Sequence, residues 1–122
     1  MSISNESDFN EQNFVPPVAT FYTVENNYNL TNNNCGKLAF ICNPTVAPSI
    51  LRLYASDGIP DRNDTLLMPT LKTGKIFKLT LNDNGTALAK EPIELFHSQD
   101  RYRDLAFSPV GRTIYAITCF VA

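Results

Sequence analysis

Apolar residues in this chain fall into short runs separated by turn-forming residues, and no stretch holds them at the 3.6-residue period of a helix. Val18–Val24 is β-branched and aromatic and predicts a strand. Lys37–Cys42, Ile50–Tyr54, Thr65–Met68, Ile93–Phe96, Arg103–Ser108 and Thr113–Thr118 predict further strands. Lys75–Leu81 reads as a strand of strict alternation, with Ile76, Phe77, Leu79 and Leu81 set against Lys75, Lys78 and Thr80. Between these runs the punctuation is clear. Glu25–Asn34 holds six asparagines and predicts a long loop. Pro44 and Pro48 forbid a central strand between them. Ser56–Asp64 carries Gly58, Pro60 and several Asp and Asn residues and predicts another loop. Asn82-Asp83-Asn84-Gly85 predicts a hairpin turn, because Asn-Gly tolerates positive φ. Pro109-Val110-Gly111-Arg112 predicts a tight turn.

The pattern is all-β, with short strands and frequent turns, as in sandwiches, barrels and propellers. The run Arg103–Thr118, a strand, a Ser-Pro-x-Gly turn and a strand, is the kind of hairpin that recurs in propeller blades. A blade takes roughly 40–50 residues, so the 122 residues hold about two or three. Such a partial β-propeller has open faces and unpaired edges, which favour association with further blades or with itself. Residues 1–13 form a polar amino-terminal segment, and residues 14–122 carry the predicted blades.

Charge narrows the partners. Ten basic and twelve acidic residues leave a net charge of −2, with no basic stripe to neutralise phosphates, so a nucleic-acid partner is not expected. No apolar run approaches the roughly 20 residues of a membrane span. The start, Met1 to Asp8, is polar and acidic and lacks the regions of a signal peptide. It predicts either a cytosolic chain or an internal start. Cys35 and Cys42 are seven positions apart, a spacing outside the C-x-x-C motifs. On spacing alone they are two buried thiols or a short-loop disulfide.

Six stretches resemble the soluble PQQ-dependent glucose dehydrogenases, the glucose/sorbosone dehydrogenase family, where PQQ is pyrroloquinoline quinone. They are Asn13–Pro17, Tyr22–Val24, Cys35-Gly36, Ile41–Ser49, Leu66–Phe77 and Arg101–Asp104, in the family's order and at about its spacing. They correspond to the carboxy-terminal portion of that family. The resemblance implies a piece of a six-bladed propeller with PQQ and calcium at the top of its channel. It implies oxidation of an aldose at the anomeric carbon to a lactone, with hydride transfer to the quinone. It also implies a periplasmic or secreted protein, and hence an internal start for this chain.

The resemblance assigns roles residue by residue. Cys35 and Cys42 match a family disulfide, whose short loop is worth roughly 2–3 kcal/mol in the chain-entropy model; Cys119 is then left free. Arg101 and Arg103 match a pair of PQQ-binding arginines, Lys72 a PQQ-binding lysine, and Thr45 a contact threonine. A tricarboxylate needs such converging cations. In a strand, residues two apart share a face, so both arginines are expected to reach one ligand. Phe40 and Asn43 stand at positions that pack against sugar and cofactor in the family, where tyrosine and tryptophan are usual. Cys119 stands in place of an aspartate, and Val110 replaces the aspartate of the Ser-Pro-Asp-Gly turn. The catalytic histidine and the calcium ligands of the family lie in blades outside this chain, so neither a catalytic residue nor a metal ligand is assigned here. His97, the single histidine, reads as a surface-loop residue just after the strand Ile93–Phe96. Asp57, Asp61, Asn63 and Asp64 read as a solvated loop without EF-hand spacing. The expectation is a fragment of a sugar dehydrogenase that contributes cofactor-binding blades. The alternative is a β-propeller-derived binding or assembly module that has lost the chemistry.

Overall fold

Six antiparallel strands build two sheets among the described residues, and those residues contain no helix. The structure, a computed structural model, describes residues 12–21, 27 and 45–120. In chain order the strands are β1 (Arg52–Tyr54), β2 (Thr65–Pro69), β3 (Lys75–Leu79), β4 (Ile93–His97), β5 (Arg101–Phe107) and β6 (Ile114–Cys119). Strands β1 to β4 form a four-stranded meander in sequence order, and β5 pairs with β6 in a second sheet.

The turns follow the expected chemistry. At the β3–β4 connection, Gly85 has φ +67° and its amide donates to the Asn82 carbonyl at 2.9 Å. Asn82 Oδ1 accepts the amide of Thr86 at 2.8 Å, which closes the tip. At the β5–β6 connection, Gly111 has φ +69° and its amide donates to the Ser108 carbonyl at 2.8 Å. Left-handed φ at both positions is the conformation that glycine adopts without steric cost.

Register divides the first sheet into two faces, since directly opposite residues share a side. Tyr54, Leu67 and Ile76 lie on one face, in the rows Tyr54–Thr65, Arg52–Leu67–Lys78 and Pro69–Ile76. Leu53, Leu66, Met68, Phe77 and Leu79 lie on the other. The first face packs on β5, where Tyr54, Leu67, Ile76 and Leu105 form the buried core. Tyr102, Phe107 and Ile114 pack around it. The rings of Tyr54 and Phe107 meet edge to face, 5.1 Å apart. The segment at Pro17–Phe21 lies on the second face, where Met68 and Leu79 line a groove with it and the Phe21 ring sits 5.4 Å from that of Phe77.

Several expectations change. Strand β3 ends at Leu79, and Leu81 makes only an isolated bridge to Leu88. Its alternation is not the one-sided kind. Ile76 and Leu79 are buried on opposite faces because the sheet is covered on both, and a doubly covered sheet needs apolar residues at successive positions. Val18–Phe21 is not a strand; it has no ladder partner among the described residues and lies against the sheet. The rest of that predicted strand, and the predicted strand Lys37–Cys42, lie outside the described residues. Strand β5 begins two residues earlier than expected, at Arg101.

The fold is all-β, and the two sheets do not close on each other. A four-stranded sheet packed face to face on the next is the unit of a β-propeller, and this arrangement is consistent with an open part of one. Tyr115 and Ile117, on β6, are 58% and 63% exposed.

Candidate functional site

The connection from β2 to β3 and the crossing from β4 to β5 meet at one end of the sheets. Thr70 and Lys75 close the base of the first connection. The Thr70 amide donates to the Lys75 carbonyl at 2.9 Å, and the Lys75 amide donates back to Thr70 Oγ1 at 3.0 Å. Four residues, Leu71 to Gly74, loop out beyond this base and carry Lys72 at the second position. Gly74 has φ +60°, and its carbonyl accepts the Ser98 amide at 2.8 Å. A Cβ at Gly74 would lie 2.2 Å from the Ser98 carbonyl oxygen. Only glycine allows the loop to press this closely on the β4–β5 crossing.

The crossing runs through Ser98, Gln99 and Asp100 to Arg101. Ser98 Oγ accepts the Asp100 amide at 2.9 Å, a local turn bond. The Tyr102 amide donates to the Thr70 carbonyl at 3.3 Å, so the first turn of β5 is anchored to the base of the Lys72 loop.

Between loop and crossing lies an open cleft of about 370 Å³, lined by Leu71–Gly74, His97–Gln99 and Arg101. Lys72 and Arg101 thus line one cleft from two separate elements. Arg103 does not line it. It is the extra residue of a β-bulge: Tyr102 pairs with Thr118, Asp104 with Ile117, and Arg103 has no partner in the ladder. The bulge explains why Tyr102 and Leu105, three apart, both pack on the core. Arg103 still shares a face with Arg101. Arg101 stands opposite Cys119 in the ladder, and Arg103 Nε donates to Cys119 Sγ at 3.2 Å. The shared side was expected from simple alternation. The structure reaches it through Cys119, on a bulged strand.

Thr45 is exposed, and its Oγ1 accepts the Ala47 amide at 2.9 Å. Its segment runs beside the Lys72 loop: the Leu71 amide donates to the Ala47 carbonyl at 2.8 Å, and the Lys72 amide to the Val46 carbonyl at 3.3 Å. His97 is the last residue of β4 rather than a loop residue, and it lines the cleft. Sequence reasoning left His97 and Gly74 outside the site. The available signal for Gly74 was a glycine directly before a strand, which marks a constrained turn. Cys35, Phe40, Cys42 and Asn43 lie outside the described residues. Cys119 is a free, half-buried thiol. Among the described residues no three His, Cys, Asp or Glu side chains group as a metal would require. No helix among them is long and apolar enough to cross a membrane.

Chemically, the cleft offers an ammonium and a guanidinium on facing segments, with open access from solvent. That donor set suits a ligand with more than one carboxylate, because charge-assisted bonds from two directions fix its orientation.

No family model matches the chain. It is 39% identical over 118 residues to quinoprotein glucose dehydrogenase B of Acinetobacter calcoaceticus. The match covers 95% of this chain and 25% of that protein. The resemblance to the PQQ-dependent glucose dehydrogenases read from the sequence is shown by this match, and the chain spans about a quarter of the length of that relative.

Proposed function

We propose that residues 14–122 are carboxy-terminal blades of a PQQ-dependent sugar dehydrogenase and that they supply cofactor-binding cations to a site completed by other blades. The observation that carries this is the meeting of Lys72 and Arg101 on one cleft from separate elements. Lys72 and Arg101 would hold carboxylates of PQQ across the cleft. Arg103, on the Arg101 face, would meet the same ligand from the side. Thr45 would contact it from the segment that runs beside the Lys72 loop.

When bound, the quinone supplies the acceptor for a hydride from the anomeric carbon of an aldose, which becomes a lactone. This chain's own part is to bind and orient. Arginine gives planar, forked donors and lysine a compact point charge, and both favour the ionised carboxylates. The base that takes the sugar's proton, and the calcium, belong in this reading to the remaining blades. The complete enzyme is periplasmic or secreted in the same reading.

The test is a titration of PQQ into the 122-residue chain at low ionic strength, followed by the cofactor's own absorbance. Saturable binding that weakens in Lys72→Met and in Arg101→Met, and that fades with added salt, supports the proposal. Wild-type binding that neither substitution alters defeats it.

A further inference from the structure

Thr70 joins the two chain segments that deliver Lys72 and Arg101. It is fully buried, 0% exposed, and it is polar. Buried polar groups need partners, and each polar atom of Thr70 has one. Its amide donates to the Lys75 carbonyl at 2.9 Å, and its carbonyl accepts the Tyr102 amide at 3.3 Å. Its hydroxyl has three neighbours. They are the Lys75 amide at 3.0 Å, the Lys75 carbonyl oxygen at 2.8 Å and the Thr73 hydroxyl at 2.7 Å.

Proton counting orients this network. A hydroxyl has one proton to give and two lone pairs to accept with. The Lys75 amide can only donate and the Lys75 carbonyl can only accept. The Thr70 proton therefore goes to that carbonyl, and Thr73 must be the donor in the Thr70–Thr73 bond. The Thr70 hydroxyl is saturated. Thr73 lines the cleft with its own proton committed inward. Its hydroxyl has no proton left for an anion in the cleft.

We infer that Thr70 is the positioning residue of the cleft: it sets the separation of Lys72 from Arg101, and so the span of the polycarboxylate that the two cations grip together. The inference rests on the cofactor reading given above. The hydroxyl fixes the base of the Lys72 loop, and the carbonyl of the same residue anchors β5 one position past Arg101. Few other residue types suffice here. Valine keeps the volume and the β-branch but leaves the Lys75 amide without its side-chain acceptor. Serine keeps the hydroxyl.

The experiment is PQQ titration into the full chain at low salt for wild type, Thr70→Val, Thr70→Ser, Lys72→Met, Arg101→Met and the double variant Thr70→Val/Lys72→Met, with the far-ultraviolet β signal recorded for each. Thr70→Val is expected to bind about tenfold or more weakly with its β signal retained, because ångström-scale misplacement of a binding group is costly. Thr70→Ser is expected to restore binding. The double variant is expected to bind no worse than Thr70→Val alone, since a lysine already out of place has nothing left to lose. A general loss of stability would not produce that saturation. Thr70→Val binding like wild type, or losses that add in the double variant, overturns the inference while leaving the cofactor reading intact. Absence of wild-type binding, or indifference to both Lys72→Met and Arg101→Met, overturns the cofactor reading and the inference with it. Should Thr70→Val fail to fold, Thr73→Val in the same cycle with Lys72→Met decides, because it removes only the bond from Thr73 to Thr70.

Discussion

The Tyr54 hydroxyl donates to the carbonyl of Gly111, 57 residues further along the chain, and ties the first sheet to the turn between β5 and β6. The same oxygen accepts the Ile59 amide at 2.9 Å. Tyr54 is buried with no exposure. Tyr54→Phe keeps the ring on Phe107 but leaves a carbonyl and an amide without that partner. The expected cost is roughly 1–3 kcal/mol, the usual range for stranding buried polar groups. Chemical denaturation of the two proteins reads it directly. Equal midpoints and slopes would mean that water replaces the hydroxyl at no cost, and that the sheet-to-sheet tie lies elsewhere.

Asp104 gives the fold a titration at low pH. Its carboxyl is held below its ordinary value of 3.8, chiefly by the Leu105 amide; loss of solvent pushes the other way, and the hydrogen bond and charge of the Arg52 guanidinium add to the lowering. Leu105 donates to Asp104 Oδ1 at 2.7 Å, and Arg52 Nη2 lies 3.1 Å from the same oxygen. A lowered carboxylate favours the folded state fully above its unfolded value, and that contribution is lost as pH falls through the folded value. Stability is therefore expected to drop below the ordinary carboxylate range. Asp104→Asn keeps an acceptor for Leu105 and removes the titration. Thermal midpoints taken from about pH 6 down to about pH 2 should converge for the two proteins at the acid end. Parallel curves would remove Asp104 as the source.

Gly74→Ala is the sharpest local test of the cleft's architecture. The added methyl meets the Ser98 carbonyl oxygen at 2.2 Å, and φ is +60°. Left-handed backbone alone costs a non-glycine residue about 1–2 kcal/mol, and the overlap adds to it. The Ser98 amide to Gly74 carbonyl bond is expected to open, with the Lys72 loop moving off the β4–β5 crossing. Faster hydrogen exchange at Ser98 than in wild type is the readout. Unchanged protection there would show that the crossing shifts as a unit and absorbs the methyl.

Much of the sheet order could be read from the chain because each turn carried its own chemistry. Asn82–Gly85 and Pro109–Arg112 fall where the chain reverses. Alternation misled at β3 because it assumes one wet face, and both faces of this sheet are covered. Val18–Phe21 has strand-like composition yet lies against the sheet without a ladder partner among the described residues, and composition does not distinguish a paired strand from a segment that covers a sheet. In the site, Lys72 and Arg101 were named through resemblance, and the fold places them on one cleft. Thr70, Gly74 and His97 could not be named that way. Gly74 acts through a backbone bond to a segment far along the chain, Thr70 combines such a bond with a buried hydroxyl network at the base of the loop, and His97 is the last residue of β4, one past the expected end of that strand. The bulge at Arg103 had no sequence signal, since its neighbours Tyr102 and Asp104 are ordinary strand residues.

The chain alone is expected not to oxidise glucose when supplied with PQQ and calcium. Lys72 and Arg101 are both exposed, and the cleft they line is open to solvent. Exposed charges are screened, which weakens their grip on a carboxylated ligand. Hydride transfer also needs a base placed within hydrogen-bond reach of the sugar hydroxyl. His97 is exposed at the end of β4, opposite Lys75, and among the described residues no side chain is hydrogen-bonded to its imidazole to orient it. The measurement is a dye-linked dehydrogenase assay on this chain alone, and then on the chain mixed with a polypeptide carrying the remaining blades. Activity that appears only in the mixture, and that falls in Arg101→Met, fits a binding portion completed by a partner. Turnover by the chain alone would place the whole reaction in this cleft, and loss of that turnover in His97→Ala would identify the base.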